Sequence, residues 1–174
     1  MRKVLIVLVM ASIYIYSMSS FAASENSLSD FASHLDGLRS TCVNQAKTAR
    51  SAEAVARYKE SLDDELAAHA RELNLVNDPE SEAEASSAKS KQISDKSASD
   101  SQQVNNCVVS AEQNGKTLYS SFRKKNPRYS KDAETLMTAW LANIDEVTFD
   151  HPIGSDLTDA AWKTAKAHAE LSSL

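Results

Sequence analysis

The chain has 174 residues, with 19 Lys and Arg against 24 Asp and Glu, a formal net charge of −5, and only three Gly and three Pro. An acidic balance disfavours nucleic acid as a partner, and a chain of this length holds one domain around a single core. Scarce Gly and Pro among abundant Ala, Ser, Glu, Lys and Leu favours helix, so the expected fold class is all-α.

Residues 1–22 read as a cleaved secretory signal peptide. Arg2 and Lys3 form a basic start, an apolar run extends from Val4 to about Tyr16, and Ser20 and Ala22 take the small-residue positions before a cut. The rival, an uncleaved anchor, is opposed by the Ser-Ser-Phe-Ala end, so no transmembrane helix is expected in the mature chain, residues 23–174. All acidic residues follow residue 23, whereas two basic ones precede it, which takes the mature net charge to about −7. Export implies an oxidising compartment, periplasmic or extracellular. The two cysteines, Cys42 and Cys107, are then expected to form one intramolecular disulfide.

The first helix begins at the start signal Ser27-x-x-Asp30 and carries the stripe Leu28, Phe31, Leu35, Leu38, Cys42, fading through Ala46 and Ala49. Gly37 lies inside it, facing either solvent or a neighbouring helix. A second stripe, Val55, Tyr58, Leu62, Leu66, His69 or Ala70, Leu73 and Val76, is expected to bury another helix over about 51–75. Neither Pro nor Gly separates the two, so one long bent helix is the other reading. Asp78 as cap, Pro79 at the first helical position and Glu80 mark the next start.

Residues 80–103 contain eight serines among 24 residues, with Ile93 as the one large apolar side chain. The segment is either a thin solvated helix, with Ala83, Ser86, Ser90, Ile93, Ser97 and Ser101 as a seam of small residues, or a mobile segment. It runs into the central element, where Val104, Val108, Ala111, Gly115, Leu118 and Phe122 share a stripe beside Cys107. Pro127 ends that helix by about Lys125. Ser130 is expected to cap a further helix with Ala133, Leu136, Met137, Trp140, Leu141, Ile144 and Val147 inward. His151-Pro152-Ile153-Gly154 reads as a turn. Ser155, Asp156 or Thr158 then caps a last helix packed through Leu157, Ala161, Trp162, Ala165 and Leu171. The expected fold is an antiparallel bundle of four or five helices stapled by Cys42–Cys107, its last two helices joined through Trp140 and Trp162.

No catalytic motif, metal-ligand spacing or haem-attachment sequence is present, so no catalytic residue, metal or cofactor is assigned. His34, His69, His151 and His168 are scattered over different elements, and axial ligation by His168 and Met137 has no motif behind it. Asn114-Gly115-Lys116-Thr117 lacks the glycine that a phosphate-binding loop places five residues earlier, where Ser110 stands.

Charge is more informative. Arg123, Lys124, Lys125, Arg128 and Lys131 form a basic knot around Pro127, flanked by Tyr119, Phe122 and Tyr129, with no acidic residue from Gln113 to Lys131. Such cations offset a helix C-terminus. Mixed with aromatics, they also suit docking of another protein, or of an anionic envelope surface. The opposite charge is concentrated from Glu60 to Glu84, as a solvated face or as an internal mate for the knot. The architecture resembles the small disulfide-stapled helical proteins that serve as periplasmic inhibitors or immunity proteins, a likeness of class with no motif behind it. The expected function is an exported, non-enzymatic binding protein. The alternative is a periplasmic chaperone or envelope-stress protein holding unfolded clients or an apolar ligand on exposed apolar surface.

Overall fold

The computed structural model describes residues 27–73 and 79–172; the expected signal peptide, the expected Asp78 cap and Val76 lie outside them. Four α-helices are described: α1 (Leu28–Glu72), α2 (Pro79–Lys125), α3 (Ser130–Ile144) and α4 (Asp156–Leu171), with a 3-10 turn at Pro127–Tyr129. The fold is an all-α bundle. Among the described residues no helix is long and apolar enough to cross a membrane.

With no breaker near Arg50, α1 runs unbroken for 45 residues, roughly 68 Å of helix. Ser27 caps it by accepting from the Asp30 amide at 3.1 Å. α2 is continuous over 47 residues, so the serine-rich segment is helical along its whole length. Ser86, Ile93, Ser97 and Ser101 are half-buried against α1, whereas Ala83 and Ser90 are exposed. Long-range pairings fix the two helices as an antiparallel hairpin. Cys42 is bonded to Cys107 with Cα atoms 5.6 Å apart, and towards the tip Asp64 accepts from Ser86 at 2.9 Å while Lys89 reaches Asp63 at 2.7 Å.

The helices α3 and α4 pack against only one half of that hairpin. The resulting head holds the whole apolar core: Leu28, Phe31, Leu35 and Cys42 from α1; Val104, Ala111 and Phe122 from α2; Leu136, Met137, Trp140 and Ile144 from α3; Trp162 from α4. No apolar side chain between Ala46 and Val104 is buried among the described residues. Residues 50–73 and 79–103 therefore form an arm of two helices, and the expected burial of the second stripe does not occur among the described residues. Val55, Tyr58, Leu62, Leu66 and Leu73 are exposed. The arm instead pairs through α1's other face, where Glu53, Ala56, Glu60 and Ala67 are half-buried. Alanine and serine let the backbones approach, and polar side chains cross-link the edges.

Two further expectations are corrected. Ser130 does not cap α3: the chain enters through the 3-10 turn, the Ser130 amide donates to the Pro127 carbonyl, and the hydroxyl accepts from Arg123 Nε at 2.9 Å. The face of α4 differs in part: Trp162 is buried and Ala165 packs against the core as expected, but Ala161 is exposed. Leu157 and Leu171 are 80% and 70% exposed, and the buried row is Asp159, Trp162 and Ala169, with Lys166 half-buried between them. Both tryptophans are buried in the core, and each also donates its indole N–H to α1, Trp140 to the Leu35 carbonyl at 2.8 Å and Trp162 to Asp36 Oδ1 at 3.0 Å.

Candidate functional site

The basic knot assembles where α2 ends. α2 delivers Arg123, Lys124 and Lys125 in its last turn, the 3-10 turn carries Arg128, and α3 adds Lys131 in its first turn; all five are exposed. Arg123 lies over the Tyr119 ring, 5.3 Å from its centre, and Arg128 lies 4.6 Å from the centre of Tyr129. These contacts, with the Arg123 bonds to Ser130 and to Tyr119 Oη at 3.2 Å, hold two guanidinium groups flat against the surface. A shallow depression of about 410 Å³ opens between Tyr119, Ser120, Arg123, Lys124, Pro127 and Ser130.

Phe122 is not part of this surface. It is fully buried and stacks on Phe31 with ring centres 4.8 Å apart and planes 12° from parallel. Tyr119 and Tyr129, each 6.4 Å from a ring of that stack, connect the surface to the core. None of the five cations forms an ion pair among the described residues. By contrast Lys89, Lys116 and Lys163 each find a carboxylate within 2.8 Å. The acidic stretch does not mate with the knot, because it lies at the hairpin tip, roughly 50 Å away along α2. There its charges bind locally: Asp63 to Lys89, and Glu82 to Arg71 at 3.7 Å. Asp63 and its acidic neighbours Asp64 and Glu60 raise the Lys89 ammonium above its ordinary pKa.

A second polar cluster lies inside the head and was not anticipated. Arg39, Asn143 and Asp159 are all buried. Arg39 donates from Nε to Asn143 Oδ1 and from Nη2 to Asp159 Oδ1. Asn143 and Asp159 have further partners: Asn143 Nδ2 donates to the Ile153 carbonyl at 3.0 Å and to Thr158 Oγ1 at 3.2 Å, and Asp159 Oδ2 meets Lys163 at 2.6 Å. Asp36 extends the join of α1 to α4. Burial alone would raise its pKa, but hydrogen bonds from Lys166 and Trp162 and the charges of Lys166 and Arg39 outweigh that and hold its carboxyl below the ordinary value. The signal for this clamp was in the sequence. Arg39 stands four residues after Leu35 and three before Cys42, on the core stripe itself, and Asp159 stands three before Trp162.

The clamp ties α1 to α3 and α4 through buried side chains. A groove of about 490 Å³ beside the disulfide is lined by Gln45, Gln103, Asn106, Ser110 and Asn114 with both half-cystines, and none of its lining side chains titrates. Met137 is in the core, whereas His168 is exposed near the end of α4. His69 bonds Glu72 at 3.1 Å on α1's exposed face. Among the described residues no group of three or more His, Cys, Asp or Glu side chains is placed to hold a metal ion. The chain matches no known family model, no curated protein and no solved structure.

Proposed function

We propose that this is an exported, non-enzymatic binding protein, periplasmic or secreted, that acts by occupying another protein in the manner of an inhibitor or immunity protein. The basic end of the head is its docking surface. The observation that carries this reading is the set of five exposed cations without a carboxylate partner among the described residues, two of them laid on tyrosine rings. Cations that only offset the end of α2 would need no such ordering. An acidic partner would supply the missing carboxylates, and the fixed guanidinium groups lose little freedom on docking. The disulfide and the leader-like start support export.

The test is capture by the oxidised mature chain from native cell-envelope and secreted proteins, against a Lys124→Glu/Lys125→Glu control. One acidic protein, retained at low salt, weakened as salt rises and lost in the control, is the expected result. Equal capture by both forms would exclude the knot.

The chaperone reading is favoured by a different observation, the exposed apolar side chains of the arm. It requires many weak clients, competed by an apolar dye and insensitive to the Lys124 and Lys125 reversals.

A further inference from the structure

The groove beside the disulfide is lined by α1 and α2 alone. Its floor is apolar: Cys42 and Ala111 are buried, and Leu38 and Cys107 are partly buried against the core. Its rim is made of side-chain amides, Gln45 from α1 and Gln103, Asn106 and Asn114 from α2, with Ser110 between the last two. None of these five side chains makes a hydrogen bond among the described residues, although Gln45 and Asn114 are half-buried. Each amide carries two N–H donors and a carbonyl acceptor, and none is charged. Such a rim matches a neutral ligand that offers donors and acceptors in alternation.

The spacing of the rim narrows the choice. Asn106, Ser110 and Asn114 are successive steps of four on α2, about 6 Å apart along the helix axis and roughly 6.7 Å apart along the slanted row that such steps form. An extended chain repeats the backbone groups of one edge every two residues, also roughly 6.7 Å. We propose that the groove holds an extended, uncharged peptide segment of a partner protein. One edge of that backbone bonds to Asn106, Ser110 and Asn114, and the opposite edge bonds to Gln45. Two repeats separate Asn106 from Asn114, so about five residues span the row. Alternate side chains of the segment rest on the disulfide, Leu38 and Ala111, and the others face solvent. A sugar would find no aromatic face among the lining residues to stack on, and an ionic ligand would find no charge.

The site stands apart from the basic knot and does not depend on the function proposed for it. Asn114 is roughly 14 Å along α2 from Arg123, near enough for one partner to span both. The two surfaces differ in kind: the knot selects by charge, whereas the groove reads backbone. A short free peptide loses backbone freedom on docking and so binds the groove weakly, with Kd on the order of 1 mM.

Proton–nitrogen correlation NMR of the oxidised mature chain, titrated with the blocked peptide acetyl-Ser-Val-Ser-Val-Ser-amide, reads the site directly, because each side-chain amide gives its own pair of signals. Saturable shifts at Gln45, Gln103, Asn106 and Asn114 are expected. They should be unchanged in Lys124→Glu/Lys125→Glu and from about 50 to about 500 mM salt, where a charge-driven contact would fade. Asn106→Leu and Asn114→Leu should each weaken binding about fivefold, the loss that one neutral hydrogen bond predicts. Asn106 is exposed and Asn114 half-buried, so unchanged circular dichroism is expected of both. The same peptide methylated on alternate backbone nitrogens loses the donors of one edge and should not saturate the signals. No saturable shift, shifts confined to the knot, or equal binding of the methylated peptide would each overturn the site. A neutral trisaccharide that saturates the same signals while the peptide does not would overturn it too, and give the groove to a sugar.

Discussion

Head and arm are built from the same two helices, yet they hold together in different ways. In the head, α1 turns Leu28, Phe31, Leu35 and Cys42 into a core closed by two more helices and two buried indoles. In the arm, the same α1 meets one neighbour through alanine, serine and ion pairs, and leaves its large apolar side chains outside. Periodicity alone does not separate the two cases. A stripe at helical spacing states that a face prefers to leave water, while the direction it faces is set by which elements are long enough to reach it. At 15 and 16 residues, α3 and α4 cover about one third of α1.

The disulfide marks where these regimes meet, and removing it should have the largest effect. Cys42 and Cys107 are 65 residues apart, and the loop they close includes the whole arm. On the chain-entropy model the bond contributes ~4 kcal/mol. Cys42→Ala with Cys107→Ala should lower stability by about that amount in urea denaturation. Amide exchange should rise more in residues 50–73 and 79–103 than in α3 and α4, because the arm has no core of its own. Equal acceleration in both regions would contradict the division.

Two leucines on α1 sharpen it next. Leu35 is fully buried and its Ala variant should lose about 2–5 kcal/mol, whereas Leu66→Ala should stay within about 0.5 kcal/mol. A cost at Leu66 comparable with that at Leu35 would mean that the arm has a core.

The two helical glycines make a smaller version of the same contrast. A Cβ at Gly115 would lie 2.6 Å from the Trp140 ring, with Leu35 behind it. Gly115→Ala should therefore cost about 1–3 kcal/mol through overpacking. A Cβ at Gly37 would meet nothing within 4 Å, so Gly37→Ala should stabilise by about 1 kcal/mol through helix propensity.

Much of the head was legible because helix propensity, apolar pattern and the pair of cysteines agreed there. The Ser27 cap, the two stripes that meet at Cys42 and Cys107, the stop before Pro127, the inward face of α3 and the turn at Gly154, with φ of +76°, follow from local chemistry. Ser130 failed as a cap because the 3-10 turn already satisfies the helix entrance, which depends on how the chain leaves α2. The face of α4 was read correctly at Trp162 and Ala165 but misread at its ends, because Leu157 and Leu171 are apolar, whereas Asp159 and Lys166 are buried or half-buried by partners 120 or more residues earlier in the chain. The knot could be read as a charge run. Its ordering on Tyr119 and Tyr129, and the withdrawal of Phe122 into the core, required the turn to fold.

The smallest effect tests how the head closes on its last helix. Asp36 is ionised at a lower pH folded than unfolded, because Lys166, Trp162 and the charge of Arg39 favour its carboxylate against the cost of partial burial. The native state then binds fewer protons than the unfolded chain between the folded pKa and the unfolded value near ~3.9. The contribution is present in full above that value and is lost as pH falls through the folded pKa. Asp36→Asn should accordingly be less stable than the parent at neutral pH, and the difference should narrow on acidification until the two coincide once Asp36 is protonated. Urea midpoints at pH 7 and at successive steps into the acid limb measure this directly. A gap that does not change with pH would show that Asp36 holds α4 through the shape of its hydrogen bonds to Trp162 and Lys166, with its charge contributing nothing.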